Sequence, residues 1–145
     1  MVLNLMTEIN EYSFEQITVG QKETFEVVIT SSMIDDYAKI SGDYNPLHVD
    51  ENYAKTTKFK KRVCHGMLLA AFFSQLVGMY LPGKNSLYFS QTLNFKTPCF
   101  INDKIIVNGE VITKSINTRI ITLKTKIFNI MNDCLVDGEA KVLVR

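Results

Sequence analysis

The stretch Gly66–Leu81 is apolar almost all round and is interrupted only by Ser74, Gln75 and Gly78. A helix that is apolar on every side is either buried in a protein core or placed in a membrane. This stretch is too short to span a bilayer comfortably. We therefore expect a buried helix, which ends where Pro82-Gly83 follows.

The residues after this helix alternate in the way that strands do. Ser86–Phe95 places Leu87, Phe89, Leu93 and Phe95 on one side of the chain, which is the pattern of a strand buried on one face. Other segments rich in β-branched and aromatic residues lie between polar turns. These predicted strands are 24–30, 104–113, 118–129 and 134–144.

One sheet must cover the buried helix, because no other part of the chain is long enough to do so. The order of elements predicts an α+β protein with an antiparallel five-stranded sheet wrapped around one central helix. The 145 residues fit a single domain. Residues 1–20 show little pattern, and we expect a loosely ordered lead-in there.

A turn segment upstream of the helix carries an acid and an imidazole five positions apart, Asp43 and His48. Gly42 and Pro46 prevent a regular helix here, since glycine favours a left-handed turn and proline fixes its own backbone. A bent loop can aim both side chains at one point, which suits acid–base work on a small molecule or a water. The structural alternative is a helix end, a turn and a new helix capped by Asp50.

Charge and cysteine content exclude several classes of function. The formal net charge of +1 at pH 7 gives no general affinity for nucleic acid. The three widely spaced cysteines form no CxxC pair, and with only two histidines they predict no metal site. The odd cysteine count and the lack of a signal peptide favour a reduced compartment, the cytoplasm. We expect no association with a membrane.

A basic connector leads into the central helix and includes Lys60, Lys61 and Arg62. For most such runs a solvated loop is the better explanation. The functional hypothesis is a cationic rim for the phosphates of a ligand.

Two separated motifs are similar to a known family. Ser41-Gly42-Asp43-x-Asn45-Pro46-Leu47-His48 and His65-Gly66-Met67-Leu68, together with Gln91-x-Leu93-x-Phe95, resemble the MaoC-like (R)-specific enoyl-CoA hydratases. The resemblance extends from about Thr24 to the C-terminus and implies the hotdog fold. One departure is Arg62-Val63-Cys64, where the family often carries a proline.

The resemblance implies roles for particular residues. Asp43 and His48 are the expected catalytic pair, and the N–H of Gly66 is expected to bind the thioester carbonyl oxygen. The expected substrate-pocket residues are Asn45, Met67, Ala70 and Ser74. Ser74 is equally well explained as a small helix residue that bonds a carbonyl one turn back. For His65, next to Gly66, we favour a structural role.

The implied activity is reversible (R)-specific hydration of a trans-2-enoyl-CoA. Asp43 and His48 can hold one water between them and handle its protons, and which residue does which is open at this point. Coenzyme A is part of the substrate, and no cofactor or metal is implied. A homodimer is expected, because a sheet edge and a one-helix core leave apolar surface to cover.

Two alternatives remain open on the sequence. One is a dehydratase of the same fold that acts on 3-hydroxyacyl groups carried on acyl-carrier protein. The other is an acyl-CoA-binding module without turnover, against which the Asp43–His48 pair argues, since binding alone needs no proton shuttle. For the hydratase, acyl chains of short to medium length are expected.

Overall fold

An antiparallel sheet packs against the central helix in a computed structural model that describes residues 8–145. The strands are β1 (Lys22–Val28), β2 (Ser86–Gln91), β3 (Asn94–Phe95), β4 (Lys104–Ser115), β5 (Ile120–Asn129) and β6 (Cys134–Val144). The helices are α1 (Ser31–Ser41), α2 (Pro46–Val49), α3 (Glu51–Thr56) and α4 (Gly66–Gln75), and a π-helical turn, Leu76–Tyr80, continues α4.

The sheet has the strand order β1-β4-β5-β6-β2, and β3 also pairs with β6. The five-stranded prediction differs by one strand, because the predicted strand 86–95 is interrupted at Thr92 and Leu93. The backbone of Thr92 passes so close to Gly138 of β6 that a Cβ on that glycine would lie 1.8 Å from the Thr92 carbonyl oxygen. The ladder is therefore interrupted here, and the chain resumes pairing with the same edge of β6 as β3.

The central helix is buried on the side that faces the sheet. Leu69, Phe73 and Leu76 belong to a core cluster that includes residues of β4, β5 and β6. Gly109 of β4 allows the close approach, since a Cβ there would lie 2.7 Å from a methyl group of Leu76. The opposite face is open within this chain, and Met67 is 52% exposed. The prediction that the helix is buried on most sides was therefore only partly correct. An apolar sequence does not show how much of the helix surface the sheet covers.

The lead-in is ordered where it is described. Phe14 and Ile17 are buried in a second core cluster with Val77 and Leu81, and Glu11 forms a β-bridge with Gly83. The expectation of a loosely ordered segment is wrong for residues 8–20, because two isolated apolar anchors fasten a segment that has no periodic pattern. Residues 1–7 of that expectation lie outside the described residues.

A polar network crosses the sheet beside its apolar face. Gln91 donates from Nε2 to the Thr125 hydroxyl at 3.0 Å and to the Thr92 carbonyl at 2.8 Å. Its Oε1 accepts a hydrogen bond from the Tyr88 hydroxyl. Thr125 is fully buried, so Gln91 satisfies polar groups that would otherwise be stranded away from water.

Among residues 8–145, no helix is both long enough and apolar enough to cross a bilayer.

Candidate active site

Asp43 lies directly after α1, in a turn that its own neighbours hold together. Gly42 ends α1 in the left-handed conformation, with φ of 77°, and its N–H donates to the Ala38 carbonyl at 2.8 Å. The Asp43 Oδ1 accepts from the Asn45 N–H at 3.1 Å. The other carboxylate oxygen is left to face the site, and the side chain is 49% exposed.

His48 lies on α2, a single helical turn where the sequence predicted a bent loop. Asn45 caps this turn by accepting from the Leu47 N–H at 3.0 Å, and Pro46 occupies its first position, where the missing N–H costs nothing. The Nδ1 of His48 lies 2.7 Å from the Val63 carbonyl oxygen. A carbonyl only accepts, so Nδ1 carries the hydrogen and neutral His48 presents an unprotonated Nε2.

His65 is 2% exposed and supports both catalytic candidates. Its Nε2 donates to the Asp43 main-chain carbonyl at 3.0 Å, and its ring stacks on His48 with centroids 3.9 Å apart. Its Nδ1 is buried without a hydrogen-bond partner among residues 8–145. Burial, followed by the nearby His48, lowers the pKa of His65, so this ring is kept neutral. The structural role predicted for His65 agrees with these contacts.

The carboxylate and the two imidazoles converge. One oxygen of Asp43 and one ring nitrogen each of His48 and His65 all lie within 4.8 Å of one another. A water that bonds two groups at about 2.8 Å each can bridge such a gap. The three residues line a cavity of about 430 Å³, whose wall also includes Gly66 and Met67.

Gly66 brings a main-chain donor to the same cavity. It is the first residue of α4, where N–H groups have no partner within the helix and the helix dipole favours a negative oxygen. A Cβ at this position would lie 2.7 Å from Cδ1 of Phe95. Glycine therefore leaves room between the helix N-terminus and the aromatic ring on the other cavity wall.

Other predicted site residues lie elsewhere. Asn45 and Ser74 are exposed, Ala70 is half-buried, and none of the three lines the cavity. Their roles in substrate binding stay predictions.

The three basic residues divide into two groups. Lys60 and Lys61 are exposed and lie outside the cavity lining, and the Lys61 ammonium sits over the Phe100 ring at 4.4 Å. Arg62 turns inward, with a side chain that is 11% exposed and bonded to Asp35. It is therefore not part of an open cationic rim, because its guanidinium is already engaged inside the protein.

Several residues that line the cavity were not predicted as site residues from the sequence. The lining also contains Tyr37, Val63, Phe95, Lys96, Leu135 and Val136. They come from α1, the connector and the β3–β6 region, so only the tertiary fold brings them together. Phe95 alone stood in a motif, and Lys96 adds a cation that pairs with Asp137 at 2.8 Å.

The donor set of the site suits protons better than a metal ion. The two imidazole planes lie within 27° of parallel, so their in-plane lone pairs run side by side and do not converge on one point. The Nε2 of His65 is already occupied by the Asp43 carbonyl. A tetrahedral or octahedral ion needs ligand atoms that point at a common centre.

Similarity to known proteins shows the family of this chain. The model of the MaoC like domain matches residues 14–129. The chain belongs to this family. An (R)-specific enoyl-CoA hydratase of Aeromonas caviae is 41% identical over 90% of this chain and 97% of its own length. A mitochondrial 3-hydroxyacyl-[acyl-carrier-protein] dehydratase of Arabidopsis thaliana is 36% identical over 81% of this chain and 71% of its own length.

The fold comparison gives the same result. An R-hydratase of Pseudomonas aeruginosa, solved in the unliganded form, superimposes with a TM-score of 0.91 at 35% identity, covering 94% of this chain and 87% of the hydratase. The predicted hotdog fold, an antiparallel sheet around a central helix, is confirmed.

Proposed function

We propose that this hydro-lyase adds water reversibly across the double bond of a trans-2-enoyl-CoA to give the (R)-3-hydroxyacyl-CoA. The observation that supports this most directly is the placement of the Asp43 carboxylate and a His48 ring nitrogen within 4.8 Å of each other. Both line the cavity to which Gly66 contributes the start of α4. An acid–base pair and an amide donor around one cavity are what hydration of a thioester requires.

His48 is the base in this proposal. Its Nδ1 is committed to the Val63 carbonyl at 2.7 Å, so Nε2 accepts a proton of the attacking water while Asp43 holds the other hydrogen. The water oxygen bonds to C3, and the electrons of the double bond move toward the thioester oxygen. C2 then takes a proton from the Asp43–His48 pair, which restores the starting protonation state.

Gly66 stabilises the charge that develops on the thioester oxygen. Its N–H belongs to the first turn of α4, where the free donors and the helix dipole favour an oxyanion. Removal of one such donor typically costs about 3 kcal/mol of transition-state stabilisation. No cofactor beyond the coenzyme A of the substrate enters this mechanism.

A homodimer in the cytoplasm is the proposed form of the enzyme. Leu87 and Phe89 on the edge strand β2 are 53% and 67% exposed, and Met67 of α4 is 52% exposed. Exposed apolar side chains at a sheet edge are typical of a surface covered by a second subunit. Sedimentation velocity should show a dimer, and Phe89→Lys should shift it toward the monomer.

The free cysteines Cys64, Cys99 and Cys134 suit a reducing compartment.

The deciding experiment follows the loss of conjugated enoyl absorbance when crotonyl-CoA is added. Wild-type protein should hydrate it, and Asp43→Asn and His48→Ala should each lower kcat by about 10²-fold or more. Chiral analysis of the product should give the R isomer. Full turnover in both variants would remove the proposed pair, and release of free thiol would indicate a thioesterase.

The second candidate is a dehydratase of acyl-carrier-protein substrates. The Arabidopsis relative bears that name, and the proposed site chemistry is the same in both directions. The kcat/KM values for crotonyl-CoA and for crotonyl groups on a carrier protein separate the two. Preference for the carrier-protein substrate would reassign the substrate and leave the roles of Asp43 and His48 in place.

A further inference from the structure

Arg62 makes two short contacts inside the protein that connect the elements carrying the proposed catalytic pair. Its Nε donates to the His48 main-chain carbonyl at 2.5 Å, and its Nη2 donates to the Asp35 Oδ1 at 2.5 Å. Only 11% of the Arg62 side chain is exposed, whereas Asp35 is 49% exposed. The guanidinium charge strengthens both hydrogen bonds, and the bond to the His48 carbonyl, which is partly buried, is the one that water screens less.

Residues 62 and 63 of the connector that contains Arg62 make three hydrogen bonds to α2. The Val63 N–H donates to the Leu47 carbonyl at 3.2 Å, and the His48 ring donates from Nδ1 to the Val63 carbonyl at 2.7 Å. The guanidinium adds the third contact, to the His48 carbonyl. That carbonyl lies in a helix of one turn, where the last carbonyls have no partner within the helix. Both the backbone and the ring of His48 are thus held by residues 62 and 63.

The second arm of the guanidinium reaches the element that leads to the other catalytic residue. Asp35 lies on α1, and Asp43 follows the end of that helix at Gly42. A single planar group therefore spans α1 and α2, with one bond to each. Because the guanidinium fork is rigid, it fixes how far His48 stands from the turn that presents Asp43.

We propose that Arg62 is a positioning residue, which sets the separation of Asp43 and His48 by tying α2 to α1. The proposal rests on the hydratase function proposed above. It gives Arg62 a different role from a contact with the phosphates of coenzyme A. A positioning role acts on the chemical step and is independent of whether the substrate carries phosphates.

The test compares two substrates, crotonyl-CoA and the crotonyl thioester of N-acetylcysteamine, which has no phosphates. Arg62→Gln should lower kcat by about tenfold or more on both substrates, since small misplacements of catalytic groups are that costly. KM should change little on either. Lys58→Gln is the matched control: it removes a charge from the same connector at a side chain that rests over Phe59, and its kcat should equal that of wild type.

Two further variants separate positioning from folding. Arg62→Lys keeps the positive charge but cannot make both bonds at once, so it should melt near the wild-type temperature and still lose kcat on both substrates. Asp35→Asn weakens only the arm to α1 and should lower kcat in the same direction by a smaller factor. If Arg62→Gln does not fold, these two variants decide the matter.

Three results would overturn the proposal. The first is an unchanged kcat in Arg62→Gln, and the second is an unchanged kcat in Arg62→Lys. The third is an effect confined to KM for crotonyl-CoA, which would assign Arg62 to the phosphates; any one of them is sufficient.

If the wild-type protein hydrates neither substrate, the proposed hydratase function fails separately from the positioning role. The positioning role is then read from the ring ¹⁵N signals of His48, which should lose their Nδ1–H form in Arg62→Gln. Unchanged ring signals in that variant would contradict it.

Discussion

His48 and His65 stack with their ring centroids 3.9 Å apart and their planes 27° from parallel. The two rings hold their hydrogens on different nitrogens, because His48 donates from Nδ1 to Val63 and His65 donates from Nε2 to Asp43. Burial lowers the pKa of His65 and keeps that ring neutral. Because His65 is neutral, it places no positive charge beside the ring that is the proposed base.

The lowered pKa of His65 predicts a pH dependence of stability. An unfolded chain has an ordinary histidine with a pKa near 6.5, so below that pH the unfolded state binds a proton that the folded state refuses. The contribution of neutral His65 to the free energy of unfolding should therefore be fully present above pH 6.5. It should decrease as the pH falls toward the lower pKa of His65 in the folded state. Urea unfolding at pH 7.5 and pH 5.5 measures the difference.

The matched variants for this prediction are the two histidines themselves. His65→Gln keeps an amide donor for the Asp43 carbonyl but has no titrating group, so its stability should change less than that of wild type over the same interval. His48→Gln leaves the burial of His65 in place, which is the main cause of its lowered pKa, and should retain most of the wild-type dependence. A dependence that disappears in His48→Gln and persists in His65→Gln would contradict the assignment.

Gly66→Ala should lower kcat without unfolding the protein. The new Cβ would lie 2.7 Å from Cδ1 of Phe95, so the ring or the helix N-terminus must shift within the cavity. Because an oxyanion donor acts only at close distance, we expect a loss of about tenfold or more, up to the ~3 kcal/mol of a whole donor. Steady-state kinetics with crotonyl-CoA gives the value.

Two companion variants test the cause of that loss. Gly78 lies in the π-helical turn that continues α4, and a Cβ there meets nothing within 4 Å, so Gly78→Ala should leave kcat unchanged. Phe95→Ala combined with Gly66→Ala should recover part of the activity, measured against Phe95→Ala alone. If the double variant recovers none, the steric explanation is incorrect.

The turns that carry the proposed catalytic pair were predictable in part, because their determinants are local. Gly42 ends α1 in the left-handed conformation that glycine favours, as predicted, whereas Asn45 and Pro46 start a helical turn where a bent loop was expected. Asp50 caps α3 through the Tyr53 N–H at 3.0 Å, so the structural alternative was correct for the backbone. It did not exclude the functional one, since the same turns bring Asp43 and His48 together.

The walls of the cavity were not predictable in the same way. Lys96 and Leu135 line the cavity, yet both are far from Asp43 in sequence. Pairing of β3 with β6 brings these two residues beside each other, which the sequence alone does not show. The inward direction of Arg62 was missed for a related reason. A run of basic residues looks solvated in sequence, and only the partner Asp35, 27 positions away, decides otherwise.

Gln91→Leu should destabilise the fold. The substitution strands the buried Thr125 hydroxyl and the Tyr88 hydroxyl, both of which bond to Gln91. An unsatisfied buried polar group typically costs about 1–3 kcal/mol. Chemical denaturation should show a loss in that range, with little change in KM, because Gln91 does not line the cavity.

A double-mutant cycle identifies the network as the source of that loss. Thr125→Val removes the hydroxyl that Gln91 satisfies, so Gln91→Leu should cost less in the Thr125→Val background than in the wild-type background. Strictly additive free energies of unfolding would show that the two side chains do not act together.

Thiol labelling should distinguish the three cysteines. Cys64 and Cys99 are 3% and 1% exposed, whereas Cys134 is only half-buried. The neighbouring Cys99 thiol and burial both raise the pKa of Cys64, and alkylation requires the thiolate. Iodoacetamide at pH 8 should therefore modify Cys134 first, with Cys64 more than about tenfold slower, as measured by mass spectrometry of digested samples.

Cys134→Ser should abolish the fast phase of thiol labelling, and all remaining thiols should react in urea. Rapid modification of Cys64 in the folded protein would show that the cavity wall opens at that residue.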